Sequence, residues 1–327
     1  MSNNRLNVTY TDNKQQNTRP LSNARAQKEE IQATMERLWL QNPQQFDPLR
    51  DCIERKRIVA TLEAIQSVTT LNEKKVVDLG CGAGILSRKM RDAGAIVDAV
   101  DIASQALQKL KSEDMQNITA IQDCLPSTSL HDQSYDLVIC TELIGYLKSA
   151  DYRMFIAELA RLVKNGGFVV CSSDLDINTD NPLERLVALV ETEFTVEKWI
   201  LSYHLLQIRV CRFFEAPAFY VKCYQDKEYF QKEIEKRKGL RRRLFMWNTK
   251  MPLNLLWRTL RMVFNPFASL FRQNVWIMNF LEKITRFFWS EAGISHALFI
   301  GKRRPLTFPV KKENTPRELK HKRQVWE

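Results

Sequence analysis

Val76-Val77-Asp78-Leu79-Gly80-Cys81-Gly82-Ala83-Gly84 is the stretch on which the reading of this chain turns. Val76–Leu79 is a short apolar run of strand type that stops at Gly80, and a helical pattern follows over Ile85–Ala93. Glycines at such a turn let the backbone approach a bound ligand, and the helix start beyond offers free N–H groups. A tight strand-to-helix turn alone would also ask for glycine, so three further features matter. Asp78 lies two residues before the first glycine. The spacing is Gly-x-Gly-x-Gly, which disfavours the Gly-x-Gly-x-x-Gly of dinucleotide oxidoreductases. Asp101 closes the next apolar run, where a carboxylate can accept both hydroxyls of a ribose.

Outward from this stretch, strands and helices alternate. Ala95–Val100, Ile118–Ile121, Tyr135–Cys140 and Phe168–Ser172 read as strands, with helices at Ser104–Lys111 and Tyr152–Val163 and a turn at Asn165-Gly166-Gly167. A helix at Pro182–Glu193 precedes a sixth strand, Thr195–His204, and a seventh comes only at Ser295–Ile300. The pattern predicts an α/β fold: a doubly wound, mostly parallel seven-stranded sheet with a helical insertion before the last strand. Upstream, a helix is expected near Ala24–Leu40 with Ile31, Met35 and Leu38 on one face. Asp47-Pro48 announces a second, with Leu49, Cys52, Val59, Leu62 and Ile65 as its stripe. The expected organisation is a disordered tail (1–21), helices and core (22–212), a basic and aromatic insertion (213–292), the last core strand (293–310) and a charged tail (311–327).

The motif resembles the first motif of class I S-adenosylmethionine-dependent methyltransferases, in the small-molecule branch that holds the ubiquinone-biosynthesis and nodulation-type enzymes. The likeness covers roughly 75–173 and includes the turn Leu162–Phe168 into the fifth strand. It implies a Rossmann-like methyltransferase fold and S-adenosylmethionine as cofactor. Gly80, Gly82 and Gly84 would pass under its methionine and ribose portions, and Asp78 would shape that loop and bind the amino end. Asp101 would hold the ribose hydroxyls with Ile102 packing on the adenine. Asp123 would accept from the adenine amino group beside the Cys124 N–H, and Thr141 would line the pocket. The rival readings are a turn carboxylate at Asp78, a helix cap at Asp101 and a loop acid at Asp123.

Methyl transfer from a sulfonium asks mainly for alignment and exclusion of water; a base is needed only where the nucleophile must lose a proton. After the fourth strand the chain reads Cys140-Thr141-Glu142-Leu143-Ile144-Gly145-Tyr146-Leu147. Many relatives carry Glu-His where this chain has Gly145-Tyr146. That departure removes the obvious base and leaves Tyr146 and Glu142 as the catalytic candidates.

The chain has 327 residues, a net charge of +11 and 44% hydrophobic residues, which suits a packed globular protein. Its seven cysteines form no CxxC pair and its four histidines are scattered, so neither a disulfide framework nor a metal site is expected. With no secretory pattern at the start, the expectation is cytoplasmic. Residues 213–327 hold 24 Lys+Arg against 10 Asp+Glu. There Arg241-Arg242-Arg243 precedes Leu253, Leu256, Trp257, Leu260, Phe264, Phe267, Leu270 and Phe271 at helical spacing, with Pro266 expected to break or kink that helix. Val275–Trp289 is a further aromatic run. Basic and aromatic faces together suit an anionic membrane surface met through 236–289, on the inner face of a membrane, and a small or lipid-like acceptor. An internal cap or dimer interface is the rival use of the aromatic stripe. An RNA methyltransferase is the alternative enzyme, and a non-catalytic cofactor-binding protein recruited to membranes the alternative of another class.

Overall fold

The computed structural model describes residues 21–175, 181–250, 253–304 and 323–325. The expected tails, 1–21 and 311–327, lie outside the described residues apart from Leu21 and 323–325. Two compact units are present, one built on the sheet and one of helices.

The sheet unit takes in 21–48, 55–202 and the chain from 294 onward. Its elements are α1 (Leu21–Gln41), α2 (Cys52–Gln66, of which 55–66 belong here), β1 (Lys75–Leu79), α3 (Ile85–Asp92), β2 (Ile96–Asp101), α4 (Ser104–Lys111), β3 (Ile118–Gln122) and β4 (Tyr135–Thr141). Next come α5 (Tyr152–Leu162), β5 (Val163–Asp174), α6 (Pro182–Val190) and β6 (Phe194–Ser202). The helical unit comprises Leu49–Glu54 and Tyr203–Gly293. It holds α7 (Leu205–Gln225), α8 (Lys227–Glu235), α9 (Gly239–Asn248), α10 (Leu253–Gln273) and α11 (Val275–Trp289). The chain then returns to the sheet as β7 (His296–Arg303) and β8 (Arg323–Val325).

The strand order is β3-β2-β1-β4-β5-β7-β6-β8. β7 runs antiparallel to both β5 and β6, and every other pairing is parallel. The seven expected strands are in place, and β8 adds a short eighth at the β6 edge. Parallel strands need helical crossovers that cover the sheet's faces, which is why β1, β4 and β5 read as nearly unbroken apolar runs. On one face Val76, Val97, Leu137, Ile139, Val170, Ile200, Leu298 and Ile300 form a single core with Ile58, Ala64 and Ile65 of α2. On the other, Phe299 packs against Trp199 at 5.5 Å and Phe194 at 6.1 Å.

Three local expectations need correction. Leu49 lies in a separate 3-10 turn, Pro48–Arg50, ahead of α2 and is exposed; Val59 is exposed because the buried face of α2 in this unit runs through Ile58, Thr61 and Ile65, and Val59 points the other way. Asn165-Gly166-Gly167 does not interrupt the strand: β5 begins at Val163 and absorbs these residues as a register shift against β4. Pro266 does not break α10, which runs through it. Phe264, Phe267 and Phe271, on both sides of the proline, pack on Phe214 of α7 at 5.4–5.6 Å, so tertiary contact holds the helix where one hydrogen bond is lost.

Candidate active site

Side chains two residues apart on a strand share a face, so the rows of the core can be followed to the edge of the sheet. Val76 leads to Asp78, Ala99 to Asp101, Ile139 to Thr141, Val170 to Ser172 and Asp174, and Ile200 to Ser202. β7 runs the other way and enters this edge at His296 before reaching Leu298 and Ile300. Each apolar row therefore ends in a polar group on the edge where the parallel strands finish, the usual place for a ligand in an open α/β sheet.

The glycine turn sits at the centre of that edge. Gly80 and Cys81 donate their N–H groups to the Val100 carbonyl at 2.8 and 2.9 Å, which ties the end of β1 to β2. The Gly82 N–H reaches the Asp101 carboxylate at 2.8 Å, and the other Asp101 oxygen accepts from Ala103 N–H at 2.9 Å. Gly80 and Gly82 have φ of 76° and 54°, which favours glycine, and a Cβ on Gly80 would lie 2.3 Å from Leu143 Cδ1. Asp78 is 2% exposed and accepts from Ser87 Oγ at 2.5 Å. Burial pushes its carboxyl up to about 6, against the Ser87 hydrogen bond and with help from the charge of Asp101. Burial also raises Asp101, although the Ala103 and Gly82 amides oppose it.

α1 contributes two residues that sequence reasoning missed. Glu36 accepts from the N–H groups of Ser104 and Gln105 at 2.7 and 3.1 Å, capping α4 from a distant segment. Burial works to raise Glu36, yet these donors hold it below the ordinary carboxylate range. Trp39 is buried, stacks on Phe46 at 4.6 Å and stands over Gly82, its ring 3.4 Å from where a Cβ would be. α4 has no side-chain cap of its own, which was the one sequence signal for a partner such as Glu36.

The adenine-side expectations land on a loop that closes on itself. Asp123 accepts from Cys124 N–H at 2.7 Å and from the Ser129 N–H and hydroxyl at 2.7 and 2.8 Å, with Lys28 Nζ at 3.4 Å. Burial alone would raise Asp123, but these donors bring it below the usual range. Ile102, half-buried, fixes the same region by accepting from Gln122 Nε2 at 3.1 Å.

Beyond β4 the chain makes a sharp turn at Glu142, whose φ of 58° is unfavourable for a residue with a side chain. Its Oε1 takes Ser172 Oγ at 3.0 Å and Arg57 Nη1 at 3.1 Å, while Oε2 lies 3.7 Å from Nε2 of His296. Tyr146 stands half-exposed on the short 3-10 turn Ile144–Tyr146. Gly145 has the Asp174 carboxylate 2.9 Å from its absent Cβ, so Asp174 fills the space a side chain at 145 would need. Of the two catalytic candidates, Glu142 lies in a charged cluster of the edge. Arg57 and His296, the other members, were not legible: one is a helix arginine among many, the other opens a strand 154 residues beyond Glu142. Among the described residues, no group of three or more His, Cys, Asp or Glu could hold a metal ion.

A strand, a glycine turn and acids at or beside the ends of neighbouring strands, on this sheet order, define a class of nucleotide-cofactor methyltransferases. Residues 76–167 match a family described as a methyltransferase domain. The ubiquinone biosynthesis O-methyltransferase of Saccharophagus degradans is 32% identical over 173 residues, covering 50% of this chain and 68% of that protein. That of Klebsiella pneumoniae is 34% identical over 128 residues, covering 38% and 50%. The chain thus spans from half to about two thirds of the length of these curated relatives. Among solved structures, the N-methyltransferase NodS of Bradyrhizobium japonicum, in complex with S-adenosylhomocysteine, aligns with a TM-score of 0.40 and 17% identity over 54% of this chain and 88% of that one. An S-adenosylmethionine-dependent methyltransferase of Mesorhizobium loti aligns with a TM-score of 0.37 and 18% identity, covering 44% and 81%. The chain belongs to the class I S-adenosylmethionine-dependent methyltransferases, and its cofactor is S-adenosylmethionine.

Proposed function

We propose that this methyltransferase acts on an oxygen of a small, amphipathic acceptor, met at an anionic membrane surface on which the helical unit rests. The observation that carries the amphipathic part is the polarity of α11, which is inverted. Positions 276, 280, 283 and 287 follow one helical stripe, and Trp276 and Phe287 on it are 77% and 82% exposed. The opposite side buries Met278, Glu282 and Thr285. A helix that hides its carboxylate and shows its aromatics is matched to an apolar partner. α9 adds charge: Leu240, Arg241, Arg242, Arg243, Leu244 and Trp247 are exposed, and Phe245 alone is buried. No helix among the described residues is long and apolar enough to cross a membrane, so contact would be with the surface. The oxygen part rests on the names of the relatives.

When bound, S-adenosylmethionine supplies a methyl group on a sulfonium that leaves readily. The residues at the edge fit it. A carboxylate has about four acceptor sites, and Asp101 gives one per oxygen to backbone amides, which leaves capacity for two ribose hydroxyls. Gly80, Gly82 and Gly84 would let the backbone lie against the ligand, Asp78 would face its cationic methionine end, and Ile102 and Trp39 would flank its rings. Thr141 would line the pocket. Asp123 and Cys124 would shape the adenine-side loop, reaching the adenine only by releasing Ser129 or each other.

Calorimetric titration with S-adenosylhomocysteine tests the cofactor roles: micromolar binding is expected, lost in Asp101→Ala. Sedimentation with phosphatidylglycerol vesicles tests the surface. Binding should fall with salt, vanish for phosphatidylcholine, and be lost in both R241E/R242E/R243E and W276S/F287S. Labelled methyl uptake by a farnesyl-substituted catechol tests the acceptor. Binding to neither vesicle, with uptake only by tail-less catechol, would sink the membrane reading.

A further inference from the structure

We propose that Asp174 binds the methyl acceptor, taking a hydrogen bond from a donor group beside the reacting oxygen, and that position 145 is glycine to leave its carboxylate room. The assignment rests on the cofactor placement and the oxygen-acceptor reading above. With the ribose on Asp101 at the end of β2 and the adenine toward β3, the methyl-bearing end would point along the strand order toward β1 and β4. Displacement at that methyl carbon needs the incoming oxygen in line with the leaving sulfur. The acceptor therefore has to arrive over the ends of β4 and β5.

The carboxylates of this edge are not equally available. Asp78 is held by Ser87, Asp101 by the Gly82 and Ala103 amides, and Glu142 by Ser172 and Arg57. Asp174, the last residue of β5, is exposed, and its side chain has no hydrogen-bond or ion-pair partner among the described residues. Its Oδ1, Cγ and Oδ2 lie 2.9, 3.7 and 3.8 Å from where a Cβ on Gly145 would be, so the whole carboxylate rests on that glycine. Gly145 is not one of the glycines with positive φ, so its backbone would accept a side chain. What a side chain would displace is the carboxylate. Gly145 is itself exposed and the neighbouring Tyr146 is 41% exposed, so this stretch of the edge is open to an incoming molecule.

An ionised carboxylate only accepts, with about four lone-pair sites, so its partner must be a donor. A hydroxyl or an ammonium group on the acceptor supplies one, and the charge on Asp174 strengthens the bond. Binding a second group of the acceptor fixes its orientation and leaves the lone pairs of the reacting oxygen free for the methyl carbon. Asp174 thus decides which acceptors are used and takes part in no proton transfer.

The test compares three phenols that differ beside the reacting hydroxyl: catechol, 2-(aminomethyl)phenol and 2-methoxyphenol, which has no second donor. Asp174→Ala should lower kcat/KM for the better of the two donor-bearing phenols by about 10- to 100-fold, the scale of a hydrogen bond to a charged group, and leave 2-methoxyphenol within a few-fold. Whichever of the two loses more identifies the donor as hydroxyl or ammonium. Gly145→Ala should act in the same direction and add little in the double variant, because both changes work through one carboxylate. S-adenosylhomocysteine affinity should be unchanged in each variant, which shows the fold intact. Equal losses on all three phenols, or no loss on any, would overturn the proposal. A second readout needs no turnover. Sinefungin carries an ammonium group where the cofactor carries its methyl, so calorimetry should show its affinity falling several-fold in Asp174→Ala. If no phenol takes up methyl while S-adenosylhomocysteine binds, the oxygen-acceptor reading fails and sinefungin decides the residue: an affinity that Asp174→Ala leaves unmoved overturns the assignment.

Discussion

Asp78 is buried beneath the glycine turn with Ser87 as its hydrogen-bond partner, and burial pushes its carboxyl up to about 6. The sign follows from linkage. A folded-state pKa above the unfolded one adds stability that is fully present below the unfolded value, about 3.8, and is lost as pH rises through about 6. Above that, ionised Asp78 costs the cofactor-free protein on the order of 3 kcal/mol. Asp78→Asn should therefore raise resistance to urea at pH 8 and leave it nearly unchanged at pH 4. Its effect on the ligand should be opposite, because a cationic methionine end draws on the ionised carboxylate. Wild-type affinity for S-adenosylmethionine should fall as pH drops through 6, and the variant should bind weakly at both ends of the range. A variant no more stable at pH 8 than the wild type would mean Asp78 is not held against its burial.

At the scale of elements, the α1–α4 contact couples a peripheral helix to the cofactor edge. α4 has no cap of its own, and Glu36 supplies both acceptors from a segment 68 residues earlier. Glu36→Ala should cost about 1 kcal/mol, the typical worth of an N-cap. Because α4 follows Asp101 directly, it should also weaken S-adenosylhomocysteine binding, read by calorimetry. Glu36→Gln, which keeps one acceptor, should recover part of both. α10 teaches a different lesson. A proline in mid-helix ordinarily ends it, but five aromatic contacts between α7 and α10 keep the segment helical.

For the whole molecule, the part most legible in sequence was the part governed by local pattern. The helix Ser104–Lys111 and the strand starts at Ile118 and Tyr135 agree residue for residue, since apolar periodicity and glycine punctuation fix them. The acids at 78 and 101 were legible for the same reason: Asp101 ends β2, and Asp78 stands one residue before the end of β1. What stayed hidden depends on contacts far apart in the chain. No pattern near Glu36 says that it caps α4, and none near His296 says that it meets Glu142. Phase along α2 was misjudged because apolar type alone does not say which side of a helix has a neighbour, so Val59 was placed inward. Stability should follow the long-range contacts too: Phe299→Ala, which empties the space between Trp199 and Phe194, should cost about 3–5 kcal/mol. Denaturant titration checks this, and a loss under 1 kcal/mol would mean the aromatic cluster collapses around the gap.

The placement of β7 has a consequence for how the chain is made. β6 never touches β5; between them lies a strand that leaves the ribosome only after residues 203–295. Until then Phe194–Ser202 has no neighbour on the side facing β5, and a partly synthesised chain carries an open, apolar edge of the kind that invites aggregation. The nascent protein must keep that seam apart for the time it takes to build five helices. A ribosome stalled just before residue 296 should present a protease-sensitive β6, and one stalled well past residue 303 a protected one.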